Sequence, residues 1–390
     1  MVITLAVAVQ TFLQLQSGVG RGLDLPSLTW PVAIALLLGL PFAVLFHEFG
    51  HYLAGILQKM SCLRFAVGPI ELSRNSDKWS VRRAQVRKLG AVAFVPSTFA
   101  HFKRQSVVLA LAGPMASLLT WFFFTYQWRH AQTASFFWTW SLCADWALAG
   151  LLQIMPYRSA AGRSDGWNLW EALCEDTTFD QQVGAMLVPS SNLTPLRLRD
   201  WPEDVVCRNA EHPADPESHS YHCYLAYVHF LDAGYFEAAG RYLDRCLALR
   251  APDSPPEYAL EAAYFYALHR HDAVTAAKWL ALETREKPWL RLRARAAVEM
   301  AANCPDAARR LVEEALQMIR AVPPSGAHQY DIDRLQEIGG QVSYPTSMPS
   351  VTRFTPSKGS TAGGSSPRKT NQPATADAES AIAAIQNAAG

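Results

Sequence analysis

Three side chains at a fixed spacing suggest chemistry. His47, Glu48 and His51 lie in FHEFGH, residues 46–51, near the end of the apolar run WPVAIALLLGLPFAVLFHEFGHYLAGIL. On a helix, positions i and i+4 share a face, so His47 and His51 can present two imidazole nitrogens to one metal ion. Glu48 stands beside them and can hold a water on that metal, taking its proton as attack on a carbonyl begins. This is the H-E-x-x-H spacing of zinc peptidases, where zinc lowers the pKa of water to about 7. The apolar setting strengthens the reading. A charged group at the bilayer centre costs on the order of 3 kcal/mol, and a chance match would leave these polar groups unexplained inside lipid. Gly50 leaves room beside the metal for an approaching backbone.

Catalytic zinc usually takes three protein ligands and keeps a fourth position open. No further His or Glu follows the motif closely. Two acids compete for the third place: Asp145 in SLCADWALAG and Asp165 in AAGRSDGWNLW. Asp145 also reads as an acid satisfied by Ser, Thr or Trp N–H groups on a neighbouring helix. His101, His130, His269 and His271 lie far from the motif and read as surface or packing residues.

The elements that must position these groups are mostly membrane helices. Half of the 390 residues are apolar, and nearly all the long apolar runs fall in the first 160. Residues 30–57, 105–127 and 134–156 are each long enough to span a bilayer with some tilt. Residues 2–16 are apolar but short, and suit a spanning helix, an interfacial helix or a signal-like start, with no basic n-region or cleavage site to favour the last. Trp121, Trp128, Trp138 and Trp140 cluster near the loop WRHAQTA, as in an aromatic belt. Between the first two long spans, residues 60–104 alternate apolar and charged residues around the turn signal RNSD, which predicts a β-hairpin and a further extended piece. From 59 to 104, ten Lys and Arg oppose only Glu71 and Asp77, whereas WRHAQTA offers Arg129 alone. The positive-inside rule places the basic segment, and everything after 156, in the cytoplasm, with the metal motif near that side. The net charge of +1 argues neither for nor against a nucleic-acid partner; the basic segment reads as this topology signal, and no nucleic-acid partner is expected. Seven cysteines without a C-x-x-C pair exclude a disulfide framework or zinc ribbon.

The expected organisation is an N-terminal segment at 1–29, a membrane core at 30–178, a linker at 179–199, a soluble helical domain at 200–330 and a disordered tail at 331–390. In the soluble part, YLAYVHFLDAGYFEAAGRYLDRCLALRAPDS carries small residues and aromatics in a tetratricopeptide-like (TPR-like) pattern. Two weaker copies follow, with turns near Gly234, His271 and Pro305. The tail is rich in Ser, Thr, Pro, Gly and Ala and cannot bury enough apolar surface to offset ordering.

FHEFGHYLAG resembles the first motif of the site-2 protease family of intramembrane zinc metallopeptidases. AGPMASLL, residues 112–119, resembles that family's small-residue second-span motif. QIMPYRSAAGRSDGWNL resembles its last motif, N-x-x-P followed by Asp-Gly. The three occur in order across about residues 30–175. The resemblance implies one zinc ion per chain, held by His47, His51 and Asp165, with Glu48 as the base. It also implies substrate-binding or structural roles for Gly113, Pro114, Ser117, Gln153, Pro156 and Gly166. Gln153 and Ser117 replace the Asn usual in the family, and the gap from Pro156 to Asp165 is longer than in the short form of the motif.

The fold class expected is mainly α: a polytopic membrane bundle of three core spans, four if residues 2–16 cross, with a basic β-hairpin insertion and a soluble TPR-like domain. The function expected is hydrolysis of peptide bonds in or near transmembrane segments of membrane-anchored substrates. Transmembrane protein substrates and a cytosolic partner of the TPR-like domain are the expected partners. The alternative is a catalytically inactive membrane scaffold that binds client helices. A zinc transporter fits less well, because no further run of acids lines the other spans.

Overall fold

The computed structural model describes residues 2–20, 30–75, 78–84, 89–159, 162–174, 177–213, 218–251, 254–282 and 288–343. They form two compact units. The first draws on the chain up to residue 213, on 221–239 and on 323–330; the second draws on 218–220, 240–322 and 331–343.

The first unit begins with α1 (Val2–Gly20) and α2 (Trp30–Leu57). α2 ends where the chain enters a left-handed turn: Lys59 has φ 58°, Lys59 N donates to Ile56 O and Met60 N donates to Gly55 O. This pair of bonds satisfies the last carbonyls of the helix and turns the chain into the sheet. The sheet comprises β1 (Ser61–Val67), β2 (Ile70–Asn75), β3 (Lys78–Arg83) and β4 (Gly90–Val95). It is antiparallel in the order β3-β2-β1-β4. Gly68, with φ 56°, supplies the positive φ that the two-residue loop between β1 and β2 requires. The expected hairpin is therefore β2–β3. The further extended piece is β4, which pairs back onto β1 and makes a four-stranded sheet.

α3 (Phe102–His130) and α4 (Ala134–Leu151) complete the bundle. Thr133 caps α4, its side chain accepting from Phe136 N. Among the described residues, two helices, α2 and α3, are long and apolar enough to cross a membrane. The third expected span, 134–156, is shorter than its sequence suggests. α4 has 18 residues, a rise of about 27 Å at 1.5 Å per residue, just under the roughly 30 Å hydrocarbon core. It gives way to a 3-10 turn at Leu152–Ile154, and Met155, the residue before Pro156, is extended. Trp138 also departs from the expected aromatic belt: it is buried with Phe137 and Val32 inside the bundle.

A short hairpin, β5 (Arg158–Ser159) and β6 (Gly162–Arg163), leads into α5 (Asp165–Cys174) and α6 (Thr177–Leu193). The stretch expected as a linker, 179–199, is thus largely helical. Val183 and Leu187 bury one face of α6 at helical spacing. α7 (Glu203–Glu211), α8 (His219–Asp232) and the start of α9 (Phe236–Ala248) follow.

In the second unit, α10 (Glu257–Leu268), α11 (Ala273–Ala281), α12 (Pro288–Ala301) and α13 (Pro305–Arg320) pack as successive neighbours. His271 and Asn303 hold a positive φ at the turns between paired helices here, as Gly234 does between α8 and α9. α14 (Gly326–Ser343) enters the region expected to be a disordered tail. Leu335 and Ile338 explain why: one helical turn apart, both are fully buried. The rest of that expected tail, 344–390, lies outside the described residues. Arg293 is buried at the centre of this unit, paired with Glu261 and with Asp331 at 2.6 Å.

Candidate metal centre

α2 places His47, Glu48 and His51 on one buried face, each less than a tenth exposed. The i, i+4 register sets the ring centroids of the two histidines 4.9 Å apart. His51 Nδ1 lies 2.7 Å from the Leu109 carbonyl on α3. A carbonyl only accepts, so this nitrogen carries the proton and Nε2 keeps its lone pair. His47 Nδ1 meets Ser117 Oγ at 2.9 Å, again leaving Nε2 pointing inward. The two Nε2 atoms face one another at 3.2 Å.

The third group arrives from elsewhere in the chain. Asp165, the first residue of α5, sets Oδ2 2.9 Å from His47 Nε2 and Oδ1 3.3 Å from His51 Nε2. Among the described residues, His47, His51 and Asp165 are the group whose ligand atoms all lie within 4.8 Å of one another. The donor set fits a metal ion. A tetrahedral zinc with bonds of about 2.0–2.1 Å places its ligands roughly 3.3 Å apart, close to the separations seen here. With both Nε2 atoms unprotonated, the two lone pairs and the carboxylate would repel one another unless a cation lay among them.

Close backbone approaches shape the space around these groups. A methyl at Gly113 would lie 2.6 Å from His51 Cε1 and 2.7 Å from His47 Nε2, in the space between the imidazoles. Pro114, which follows it, is buried in α3 and removes one backbone N–H from that turn. A methyl at Gly50 would lie 2.6 Å from the Ala112 carbonyl oxygen, so the room expected beside this glycine is taken up by α3. Ser117 belongs to the site through His47, and Gly150 of α4 lets the Ser117 hydroxyl approach. Gly166 lets α5 start against the carbonyl of Ile154. Gln153 and Pro156 are not brought to the metal group. Gln153 Oε1 accepts from Tyr157 OH at 2.6 Å, and Pro156 is exposed where the hairpin begins.

Asp145, the competing acid, lies against α1. Its carboxylate accepts from Gln10 Nε2 at 2.9 Å, Thr11 Oγ1 at 3.3 Å and Gln14 Nε2 at 3.0 Å. It has a neighbouring-helix partner set, as its structural reading anticipated, though from Gln and Thr of α1. Gly90 is a site residue that sequence reasoning missed. A methyl there would lie 2.5 Å from Glu48 Oε1 and 2.6 Å from Val44, so β4 begins directly against the carboxylate. Glycine at the start of a strand signals close backbone approach, but nothing local says to what.

A membrane-type helix bundle here joins a buried H-E-x-x-H pair to a distant aspartate, a donor set that could hold a metal ion. The model of peptidase family M50 matches residues 35–344, well over half the chain. The chain belongs to this family, the site-2 protease family of zinc-dependent membrane metallopeptidases. No curated protein and no solved structure matches it.

Proposed function

We propose that the protein is an intramembrane zinc endopeptidase that cuts membrane-anchored substrates in or near their transmembrane segments. The observation that carries this reading is the convergence of His47, His51 and Asp165 beside the buried Glu48. Zinc, when bound there, supplies Lewis acidity that brings water to a pKa of about 7 and polarises a carbonyl.

The chain's own groups would do the rest. The hydrogen bonds at both Nδ1 atoms orient the imidazoles and present Nε2 to the ion. Glu48 accepts the proton of the attacking water and passes it to the leaving amine. A helical substrate keeps its carbonyls in hydrogen bonds, so it must unwind locally before cleavage. β4 is an end strand of its sheet and starts against Glu48, which supports strand addition as the means of holding the unwound segment extended. The basic segment supports a cytoplasmic-facing site, with the C-terminal helices in the cytoplasm. The left-handed turns between successive helix pairs are consistent with a TPR-like array that binds a cytosolic protein.

Glu48→Gln tests the reading. It keeps the shape of the side chain and should retain zinc, while cleavage of a single-span membrane substrate falls by roughly 10²–10⁴-fold. Unchanged biological function in that variant would favour the scaffold alternative.

A further inference from the structure

Asp165 reaches the imidazoles from outside the helix that carries them, and the chain on either side of it is tied down twice. On one side is Ser164, 2 % exposed. Its hydroxyl donates to the Met155 carbonyl at 2.7 Å and accepts from Tyr157 N at 3.0 Å and Trp167 N at 3.2 Å. It therefore closes the base of the β5–β6 hairpin and caps the first turn of α5. On the other side is Glu171, on α5 and 1 % exposed. Its Oε1 accepts from Arg158 at 2.6 Å and from Trp167 Nε1 at 2.6 Å; its Oε2 accepts from Arg163 at 2.7 Å and from Gln182 at 2.5 Å.

Arg158 and Arg163 face each other across the hairpin. One carboxylate thus binds both strands leading into Asp165, the helix that Asp165 begins, and α6 behind it. Arg158 also stacks on Trp167 at 4.3 Å. A carboxylate offers about four acceptor positions, and here four donors use them. Glu171 has no capacity left for a metal or a substrate. Burying a charge so completely is costly unless it is paired on all sides, so such an arrangement fixes geometry.

We infer that Glu171 is a positioning residue for the third metal ligand: through the two hairpin arginines and α5 it holds the Asp165 carboxylate beside His47 and His51. The inference rests on the reading that these three residues bind zinc. Glu171→Gln removes the charge that draws both arginines and turns an amide N–H group toward existing donors. Both arginines retain access to water, 45 % and 22 % of their side chains being exposed, so the rest of the fold has no buried cation left behind.

The test uses the full-length protein in detergent. Zinc dissociation constants are measured by competition with a chromophoric chelator, beside the visible spectrum of the cobalt-substituted protein and the melting temperature. Glu171→Gln should weaken zinc binding by about 10–100-fold, the range for groups that orient metal ligands, and should change the cobalt spectrum. Glu171→Asp, which restores the charge on a shorter arm, should recover part of both. A folded Glu171→Gln protein with zinc affinity within about twofold of wild type and an unaltered cobalt spectrum overturns the inference, even if its melting temperature falls. If Glu171→Gln does not fold, the Arg158→Ala/Arg163→Ala double variant is judged by the same two readouts. A folded wild type that binds no zinc would instead remove the underlying reading.

Discussion

Gly113→Ala adds a single methyl group to α3, and its consequences for the helix and for the metal have opposite signs. In a helix interior alanine is favoured over glycine by about 1 kcal/mol, so the helix itself gains. The added carbon, however, would lie 2.6 Å from His51 Cε1 and 2.7 Å from His47 Nε2. Comfortable non-bonded contact needs about 3.5 Å, so one partner must retreat by nearly 1 Å. α3 cannot withdraw freely, because Gly50 already brings the backbone of α2 against Ala112 and Ala116, and a gap opened there would forfeit packing along the seam. If the His51 ring moves, its 2.7 Å bond to Leu109 is lost. A zinc ion about 2.0 Å from both Nε2 atoms would compete for the same space as the methyl. The loss of zinc affinity should therefore exceed the roughly 10–100-fold expected for outer-shell changes. Elemental analysis of detergent-purified protein measures zinc per chain, and thermal unfolding reports the fold. A folded Gly113→Ala protein holding about one zinc per chain, as a single mononuclear site would, would refute the geometry argued for this site.

Asp165→Ala should remove zinc whereas Asp145→Ala should keep it, with the latter costing on the order of 1 kcal/mol in helix docking; the reverse pattern in metal analysis would exchange the two acids. Gly90→Ala presses a methyl onto Glu48 and should lower kcat at least about tenfold with zinc content unchanged; an unaltered kcat would mean that β4 does not constrain the base. Arg293→Ala leaves Glu261 and Asp331 without their buried partner and should destabilise the second unit by about 3–5 kcal/mol; a change below about 1 kcal/mol in chemical denaturation would count against that network as a structural centre.

The parts of the site visible in the sequence are those set by local periodicity. His47, Glu48 and His51 fall on one face because a helix repeats every 3.6 residues, and their apolar surroundings announce the helix. Gly113 and Ser117 stand out only through a small-residue motif, and their function as neighbours of the imidazoles depends on α3 crossing α2 at that height. Gln153 accepts from Tyr157, four residues away, a bond that suits a structural role for it. The β-segment was legible as a hairpin because turn and alternation are local signals. The return of β4 to the far side of β1 was not, because strand order is a long-range choice. Composition missed the helix over 331–343 for a similar reason: a few apolar residues at helical spacing suffice to hold a helix, even within a polar stretch.

By itself, the sequence determined that two imidazoles and a carboxylate would share a helix face within an apolar span, because that follows from spacing and from the cost of burying polar groups. It left two acids open for the third place. Tertiary structure separates them. Asp145 is turned to the glutamines of α1, and Asp165, 118 residues beyond His47, is carried to the imidazoles by a hairpin and a capped helix. No local rule reaches across that distance; only the packing of α3 against α2, and of α5 against α3, brings the carboxylate within reach.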